Sequence, residues 1–420
     1  MAKPKIALVP SAQGSKFYSV LPSSGVGDFT FSRSGSATRI NSQGLIETVG
    51  SGVSRLNYPM IDGVVSGCPH HILEPQRTNI FPYSSAFINI NDFSLTVTDN
   101  ASISPEGSNN ATSIIPNVSN TIHYLSLSNN STGTVTFSIY AKANGYNYLF
   151  LHLYDGSNGR AWFNLENGVI ETTDSSISAN IEKMPNGWYR CIITRVLSGN
   201  LIQADIAVSN SDNTTSFSGD GTSGIYIYGA QLEQGSYPTS YIPNYGTALG
   251  VTRSVETANG SGDVDTFNDS EGVFFLEAKT NQPNFFQSIS IKDSVGNGLA
   301  FKFRPNNTSI WARYKTSTEQ KDIYYYNNVN DNYNKLAIVY GNGSISFYIN
   351  GFLIGSNTIT TNFSNLNEII FKDVNLSEIF YGNIKQIQYY DSALNDSELE
   401  TLTSWVSFTD MAQAQLYSIQ

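Results

Sequence analysis

Two groups of aromatic and polar residues in this chain of 420 residues have the types and spacing needed to bind a sugar. Tyr and Trp rings stack on the apolar faces of sugars, and Asn, Asp and Arg side chains exchange hydrogen bonds with sugar hydroxyls. The residues predicted to bind a glycan are Tyr148, Tyr154, Asp155, Asn158, Arg160, Trp162, Trp311 and Tyr325, with Tyr146, Arg313, Tyr324 and Tyr326 as neighbours of the same types. Taken singly, each aromatic residue also fits an ordinary strand, where such rings form core or cross-strand pairs. The first group has the better case, because it spans a predicted turn, and loops often carry function.

Reactive chemistry is not indicated by the sequence. The string Cys68-Pro-His70-His71 resembles a metal cluster, but a zinc site needs about four ligands, and no second Cys/His pair is near. The chain contains no Gly-x-Ser-x-Gly elbow, no phosphate-cradling loop and no Glu-x-Asp-x-x-Glu pattern for glycosidic cleavage. We therefore predict no catalytic residue, no metal and no cofactor, and we expect that the chain is not an enzyme.

Charge argues against a nucleic-acid partner. The net charge is −11, whereas nucleic-acid binding needs a basic face. Residues 1–80 hold seven Lys or Arg and four Asp or Glu, so this part alone is slightly basic and could dock on an acidic partner. The only apolar run near the start, at residues 6–9, is too short for a signal peptide, and no run approaches 18 apolar residues. We predict that the protein is made in a cytoplasm and does not insert into a membrane.

The pattern along the chain predicts an all-β protein. Strand-type alternation, as in Val135, Phe137 and Ile139, recurs through residues 85–243 and again through 270–405. Turn signals separate the strands at Asn144-Gly145, Asp155-Gly156, Asn167-Gly168 and Asn186-Gly187. We predict two antiparallel β-sandwich domains of jelly-roll or concanavalin-like type over these two ranges.

Three further segments complete the predicted organisation. Residues 1–84 are Gly-, Ser- and Pro-rich and are expected to be irregular, ordered by packing on the next domain or on other chains. Residues 244–269 are predicted to be a linker, and residues 406–420 a tail. One short C-terminal helix is predicted, because Asn395 and Glu398 form a capping-box pattern ahead of an apolar stripe.

Several stretches resemble known families. Residues 33–47 (RSGSATRINSQGLIE) and 73–80 (LEPQRTNI) resemble the N-terminal signature of bacteriophage and prophage virion proteins, usually described as tail-fibre or structural proteins. Residues 229–243 (GAQLEQGSYPTSYIP), with 186–190 (NGWYR), resemble parts of the carbohydrate-binding-like jelly roll in those proteins. Residues 333–339, 350–351, 380–387 and 392–399 are similar to concanavalin-like or laminin-G-like domains.

The resemblance implies a virion fibre or appendage subunit. Residues 1–84 would attach it to other virion proteins, and the sandwiches would face polysaccharide on the host surface. Such proteins are often oligomeric, with trimers common among fibres. A head fibre or capsid decoration with a purely structural role is the main alternative, and a polysaccharide depolymerase is a less favoured one. Laminin-G-like domains often bind calcium, but the matched motifs place no ligand set and no catalytic residue.

Overall fold

The first segment of the chain forms short strands. The computed structural model describes residues 2–281, 285–304, 309–326 and 332–405. Ten strands lie within the first 80 residues: β1 (Ile6–Gln13), β2 (Lys16–Leu21), β3 (Phe29–Ser32), β4 (Ala37–Ile40), β5 (Ile46–Val49), β6 (Leu56–Asn57), β7 (Met60–Ile61), β8 (Val64–Val65), β9 (His70–Leu73) and β10 (Arg77–Asn79). The segment is thus more regular than its composition predicts.

The middle of the chain forms the first sandwich. Its strands are β11 (Asn91–Phe93), β12 (Leu95–Ile103), β13 (Asn109–Pro116), β14 (Asn120–Thr121), β15 (His123–Ser128), β16 (Thr134–Asn144), β17 (Tyr148–Tyr154), β18 (Arg160–Asn164), β19 (Val169–Thr173), β20 (Ile177–Lys183), β21 (Tyr189–Val196), β22 (Gln203–Ser209), β23 (Phe217–Ser218) and β24 (Gly224–Gln234). Sheet A has the order β11-β15-β22-β17-β18-β19, and sheet B has the order β12-β13-β24-β16-β21-β20. All pairings in these two sheets are antiparallel, as predicted.

The core of the middle sandwich lies between sheets A and B. Val135, Phe137 and Ile139 of β16 are fully buried in it, so the predicted alternation of this strand is confirmed. The polar residues between them, Thr136 and Ser138, are buried as well. The Thr136 hydroxyl is hydrogen-bonded to Thr194 and to the carbonyl of Gly235, so its polar group is satisfied although it is buried. It is buried because the chain after β24 folds back over this face. Sheet B is therefore covered on both faces at β16.

The last part of the chain forms the second sandwich. Its strands are β25 (Val251–Arg253), β26 (Thr257–Asn259), β27 (Gly272–Thr280), β28 (Gln287–Lys292), β29 (Gly298–Phe303), β30 (Ser309–Lys315), β31 (Gln320–Tyr326), β32 (Asn334–Gly341), β33 (Ser344–Ile349), β34 (Phe352–Thr358), β35 (Glu368–Ile370) and β36 (Gly382–Tyr390), followed by helix α1 (Asp396–Ser404). Sheet C has 11 strands with the main order β26-β3-β2-β1-β36-β27-β32-β33-β34, and sheet D has the order β31-β30-β29-β28-β35. Phe274 of sheet C meets Phe301 of sheet D with ring centroids 4.9 Å apart, which places the second core between the two sheets.

Helix α1 is the one α-helix of the described residues, and its cap is as predicted. The Asn395 side chain accepts from the Glu398 amide at 3.0 Å, and the Glu398 carboxylate accepts from the Asn395 amide at 3.1 Å. Leu399 and Leu402 are buried against the outer face of sheet C. At nine residues, this helix is too short to cross a bilayer, and no other described helix reaches that length.

The N-terminal strands are built into the second sandwich. β1 pairs with β36 in the register Ile6 to Tyr389, and β9 pairs with β36 at its other end. Phe17, Phe29 and Phe31 contribute to the same core as β27 and β36. The sequence leaves open whether residues 1–84 pack on the rest of the chain or on another chain. In this structure, a distant part of the same chain supplies the partner surface.

A buried ionic network fastens this segment from the inside. Glu256 accepts from Arg33 at 2.8 Å and from Arg55 Nε at 2.8 Å, and Arg55 Nη2 also contacts it. Glu74 accepts from Arg55 Nη2 at 2.7 Å and pairs with Arg253 at 2.8 Å. Burial raises the pKa of Glu74, but the charges of Arg253 and Arg55 lower it by more, to about 2. The network therefore holds the Glu74 carboxylate ionised and joins residues 33–74 to residues 253–256.

The segment predicted as a linker takes part in this construction. β25 pairs with β10, and β26 pairs with β3 at the edge of sheet C. The composition at residues 259–263 predicts a flexible linker, but Ser261 is fully buried and donates to the carbonyl of Gly27 at 2.8 Å. Residues 251–253, 257–259 and 261 of this range are thus held by the N-terminal segment. The predicted tail, 406–420, lies outside the described residues.

Candidate functional site

The strongest candidate surface is the outer face of sheet D, on its edge strand β31 and the neighbouring strand β30. The strand alternation turns Ile310, Ala312 and Ile323 into the core and leaves the residues between them outside. The register places Trp311 opposite Tyr324 and Arg313 opposite Asp322. Side chains two residues apart on a strand point to the same side, so these four side chains meet on the outer face of sheet D.

Aromatic rings on this face form a contiguous group. The rings of Trp311 and Tyr324 meet edge to face with centroids 4.5 Å apart, and those of Tyr324 and Tyr326 stack at 5.8 Å. Tyr324 is 40% and Tyr326 is 73% exposed, and Phe286 beside them is 41% exposed. We call Phe286, Trp311, Tyr324 and Tyr326 the aromatic platform. Apolar rings held in the open by neighbouring strands are suited to stacking on a flat partner.

Charged groups surround the aromatic platform. The guanidinium of Arg304 lies 3.5 Å from the centroid of Trp311 and 4.1 Å from that of Phe286, so it is held between two rings. Arg313 forms a two-pronged pair with Asp322, with Nε and Nη2 at 2.7 and 2.9 Å from the carboxylate oxygens. The Asp322 hydrogen bond raises the pKa of Arg313. Burial and then the charge of Asp322 raise the pKa of Tyr324, so that its hydroxyl stays a donor at neutral pH.

The prediction of Tyr325 needs correction. Tyr325 stands opposite Ile310 in the register and packs half-buried against the core of the second sandwich. Successive side chains along a strand point to opposite faces of the sheet, so a shift of one residue places a side chain on the other face. Its neighbours Tyr324 and Tyr326 hold the outward positions instead. The sequence alone does not identify Arg304, Phe286 and Asp322, because only the pairing of β28, β29, β30 and β31 brings them to Trp311.

The first predicted group shares a face but is largely engaged in its own contacts. Tyr148, Tyr154, Arg160 and Trp162 lie on β17 and β18, with their side chains on the outer face of sheet A. Trp162 is fully buried, stacks on Phe150 at 5.0 Å and donates to the carbonyl of Thr214 at 3.2 Å. We therefore remove Trp162 from the candidate site.

Asp155 is also a structural residue. Its carboxylate accepts from the amide and hydroxyl of Ser198 at 2.7 and 2.8 Å and pairs with Arg195 at 2.9 Å. The side chain is completely buried. Burial raises the pKa of Asp155, but the hydrogen bonds from Ser198 and Ser157 lower it by more, so it lies below its ordinary value. This carboxylate closes the loop between β17 and β18 and has no surface left for a ligand.

The remaining members of the first group are engaged by neighbouring side chains outside the group. Asn158 Oδ1 lies 3.1 Å from His152 Nε2, whose Nδ1 lies 2.9 Å from Asp205. Arg160 donates to Asp174 at 2.9 and 3.3 Å. Tyr148 accepts from Asn164 at 3.2 Å, Tyr154 is half-buried beside His152, and Tyr146 packs on Phe217 in the core. The outer face of sheet A therefore has fewer side chains available to a ligand than the aromatic platform has.

The two histidines of the Cys68-Pro-His70-His71 string are buried, and Cys68 is exposed. Within the ranges that the structure describes, no three His, Cys, Asp or Glu side chains are grouped to hold a metal ion.

One family model matches the second sandwich. Residues 274–400 match the family model described as the concanavalin A-like lectin/glucanases superfamily. A search of curated proteins finds no match. Similar solved structures include a Ruminococcus gnavus IT-sialidase CBM40 bound to alpha2,3 sialyllactose, with 17% identity, 34% of this chain and 93% of that chain covered, and a TM-score of 0.29. The mouse laminin alpha1 chain, domains LG4-5, has 10% identity, 82% and 95% coverage and a TM-score of 0.26.

A pentraxin of Limulus polyphemus is similar at 13% identity, with 33% and 71% coverage and a TM-score of 0.28. TM-scores at this level support no conclusion about this chain beyond the β-strand structure described above. The family match covers fewer than half of the residues and includes the four strands β28–β31 that carry the aromatic platform. The aromatic platform therefore lies in the part of this chain, residues 274–400, that matches the concanavalin A-like lectin/glucanases superfamily.

Proposed function

We propose that the protein binds a glycan through the aromatic platform of its second sandwich. The observation that carries this proposal is the cluster of Trp311, Tyr324 and Tyr326, with two of its rings exposed and the guanidinium of Arg304 fixed beside them. Stacking would supply affinity, and the Arg313–Asp322 pair would supply fixed hydrogen-bonding groups at the edge of the sugar. The match of residues 274–400 to a lectin superfamily supports the same class of ligand.

A glycan array with the labelled full chain tests this proposal. We expect binding to a restricted set of oligosaccharides, and we expect Tyr324→Ala and Tyr326→Ala each to weaken it by about tenfold, as at other aromatic hot spots. Tyr245→Ala is the matched control, because Tyr245 is 74% exposed and lies outside the aromatic platform. Binding that is equal in all three variants, or absent from the array, would rule out the aromatic platform as a glycan site.

We further propose that the protein is a fibre or appendage subunit of a bacteriophage particle, self-associated and attached through residues 1–84. This rests on the resemblance of residues 33–47, 73–80 and 229–243 to virion proteins. The glycan-binding face would then meet the surface of the host cell. Detection of the chain by mass spectrometry in purified particles from the strain that carries its gene is the expected result. Antibodies against the chain should also block adsorption. A chain found only outside the particles would overturn the assignment.

A further inference from the structure

A second candidate site lies away from the aromatic platform, in a cavity of about 770 Å³ where three parts of the chain meet. The N-terminal strands β4–β7 form one wall, the outer face of sheet B at β16, β20 and β21 forms another, and the ends of β27 and β36 close the third side. Cavities of roughly 300–1,000 Å³ are typical of small-molecule sites.

Two buried polar side chains stand in the wall on sheet B. Arg190 is 8% exposed, and its Nη2 donates to the carbonyl of Thr239 at 2.7 Å and to Ser138 at 3.2 Å. Its Nε is buried without a hydrogen bond, and its Nη1 has no partner among the described residues. Tyr140 is 4% exposed, and its hydroxyl makes no hydrogen bond within the described ranges. Arg190 Nη1 and the Tyr140 hydroxyl are therefore donors on the cavity wall without an acceptor among the described residues, and they favour a ligand that supplies acceptors.

The turn before β21 and the pairing of β21 with β16 place these two side chains together. Asn186 adopts a left-handed conformation, with φ 61°, in the turn that returns the chain into β21. Arg190 then stands directly opposite Tyr140 in the register of β21 and β16, with its guanidinium carbon 5.6 Å from the centre of the Tyr140 ring. Both side chains leave sheet B on the face opposite the core, because their neighbours Ile139 and Cys191 point inward.

The charge of the wall favours an anion. Besides Arg190, Lys183 and Lys279 line the cavity, and neither forms an ion pair among the described residues. The unpaired acids are Asp62 and Glu182, which leaves three positive against two negative groups. The other charged wall residues are already in ion pairs: Arg39 with Glu47, and Glu74 with Arg55 and Arg253. A net positive cavity in a chain of net charge −11 is a local exception that would attract an acidic ligand.

Amide groups complete the wall. Five asparagines line the cavity: Asn57, Asn167, Asn180, Asn281 and Asn383. An amide both donates and accepts, which matches the mixed donor and acceptor character of sugar hydroxyls. We propose that this cavity binds an acidic saccharide, with its carboxylate accepting from Arg190 Nη1 and its hydroxyls meeting the Tyr140 hydroxyl and the asparagine amides.

Titration calorimetry of the full chain tests the proposal with three probes: trigalacturonate, its neutral counterpart galactotriose, and sodium acetate. We expect trigalacturonate to bind at least about tenfold more tightly than galactotriose, since a hydrogen bond to a charged group contributes about 1.5–3 kcal/mol, which is roughly 10- to 150-fold. Acetate should bind weakly, because it lacks the hydroxyls. Acetate binding as tightly as trigalacturonate would show a simple anion site and overturn the saccharide assignment, as would undetectable binding of trigalacturonate.

Variants locate the binding. Arg190→Gln should weaken trigalacturonate binding by about tenfold or more, and Tyr140→Phe, which removes one hydroxyl, by about fivefold. Lys279→Ala should weaken it by about threefold, with Lys3→Ala as the exposed lysine control that leaves it unchanged. If Arg190→Gln does not fold, Tyr140→Phe and Lys279→Ala decide. Unchanged affinity in both of these would place the saccharide elsewhere and refute the cavity as its site.

Discussion

Arg55 and Glu256 are 201 residues apart in the chain and form a fully buried ion pair, with Nε and Oε1 2.8 Å apart. Glu256 also accepts from Arg33 and from the amide of Glu74, so one carboxylate holds three separate points of the N-terminal segment. The geometry makes the ordering of residues 33–74 depend on residue 256.

Removal of this charge should destabilise the protein strongly. Glu256→Gln leaves Arg33 and Arg55 buried with fewer acceptors, and loss of one partner of a buried pair costs about 3–5 kcal/mol. Urea unfolding at pH 7 measures the change in free energy of unfolding. Glu47→Gln is the control, because its pair with Arg39 is partly exposed and should cost less than about 1 kcal/mol. Equal effects of the two substitutions would contradict the central role of Glu256.

Mild acid should destabilise the protein through His70 and His71. Burial lowers the pKa of each to about 3, with the charge of His71 adding to the effect at His70. The unfolded chain binds their protons near pH 6.5 and the folded chain only near pH 3, so stability is lost as the pH falls between these values. The loss for two histidines is at most roughly 2.7 kcal/mol per pH unit.

Unfolding measured between pH 6.5 and 5 isolates this effect, because the stability that Glu74 contributes is lost only below about pH 4.5. The double variant His70→Asn/His71→Phe should show a much flatter dependence in that window. Ile72→Val, on the same strand, keeps both histidines and should retain the slope of the parent chain. An unchanged slope in the double variant would show that other groups are responsible.

Substitutions of Trp162 and Tyr326 should have different effects, the first on stability and the second on glycan binding. Trp162→Ala removes a fully buried ring stacked on Phe150 and should cost about 3–5 kcal/mol. Tyr326→Ala changes a ring that is 73% exposed and should alter stability by no more than about 0.5 kcal/mol while weakening glycan binding. Thermal unfolding and the glycan array measured on both variants check this division. A stable Trp162→Ala protein with impaired binding would reverse it.

The cap of helix α1 should make a small, local contribution. Asn395→Ala removes the side-chain oxygen that accepts from the Glu398 amide, while the backbone amide of residue 395 can still donate to the Glu398 carboxylate, and it should cost about 1 kcal/mol. Ser397→Ala, at an exposed position two residues further on, should change stability by less than about 0.5 kcal/mol. Urea unfolding compares the two, and an equal loss in both would show that the cap does not hold the helix.

Local patterns in the sequence were enough for the class of fold. Alternation over residues 135–139 and the cap at Asn395 are both present in the structure, because each depends on residues within a few positions. The turn signals fared unevenly. Three of them close hairpins, whereas Asn144-Gly145 leads from β16 in sheet B to β17 in sheet A. A two-residue signal fixes a turn but not the sheet to which the next strand belongs.

The site could be predicted only in part, because its members come from different strands. Trp311 and Tyr324 were recognised as neighbours of suitable type, and the register of β30 and β31 brings them together. The prediction that Tyr325 is a site residue was wrong, because the sequence does not show which of three adjacent tyrosines point toward the core. The burial of Trp162 depends on the loop carrying Thr214, more than 50 residues away. Pairing across such distances has no local signal.

The position of β1 beside β36 has a consequence for biosynthesis. As the ribosome delivers the nascent polypeptide from its amino end, Ile6 emerges long before Tyr389, so β1 can pair with β2 early but lacks β36 until Tyr389 has been synthesised. Contacts of such high sequence separation slow folding and leave strand edges open to misassembly. The central position that β1 takes in sheet C, between β2 and β36, is therefore filled on one side long before the other.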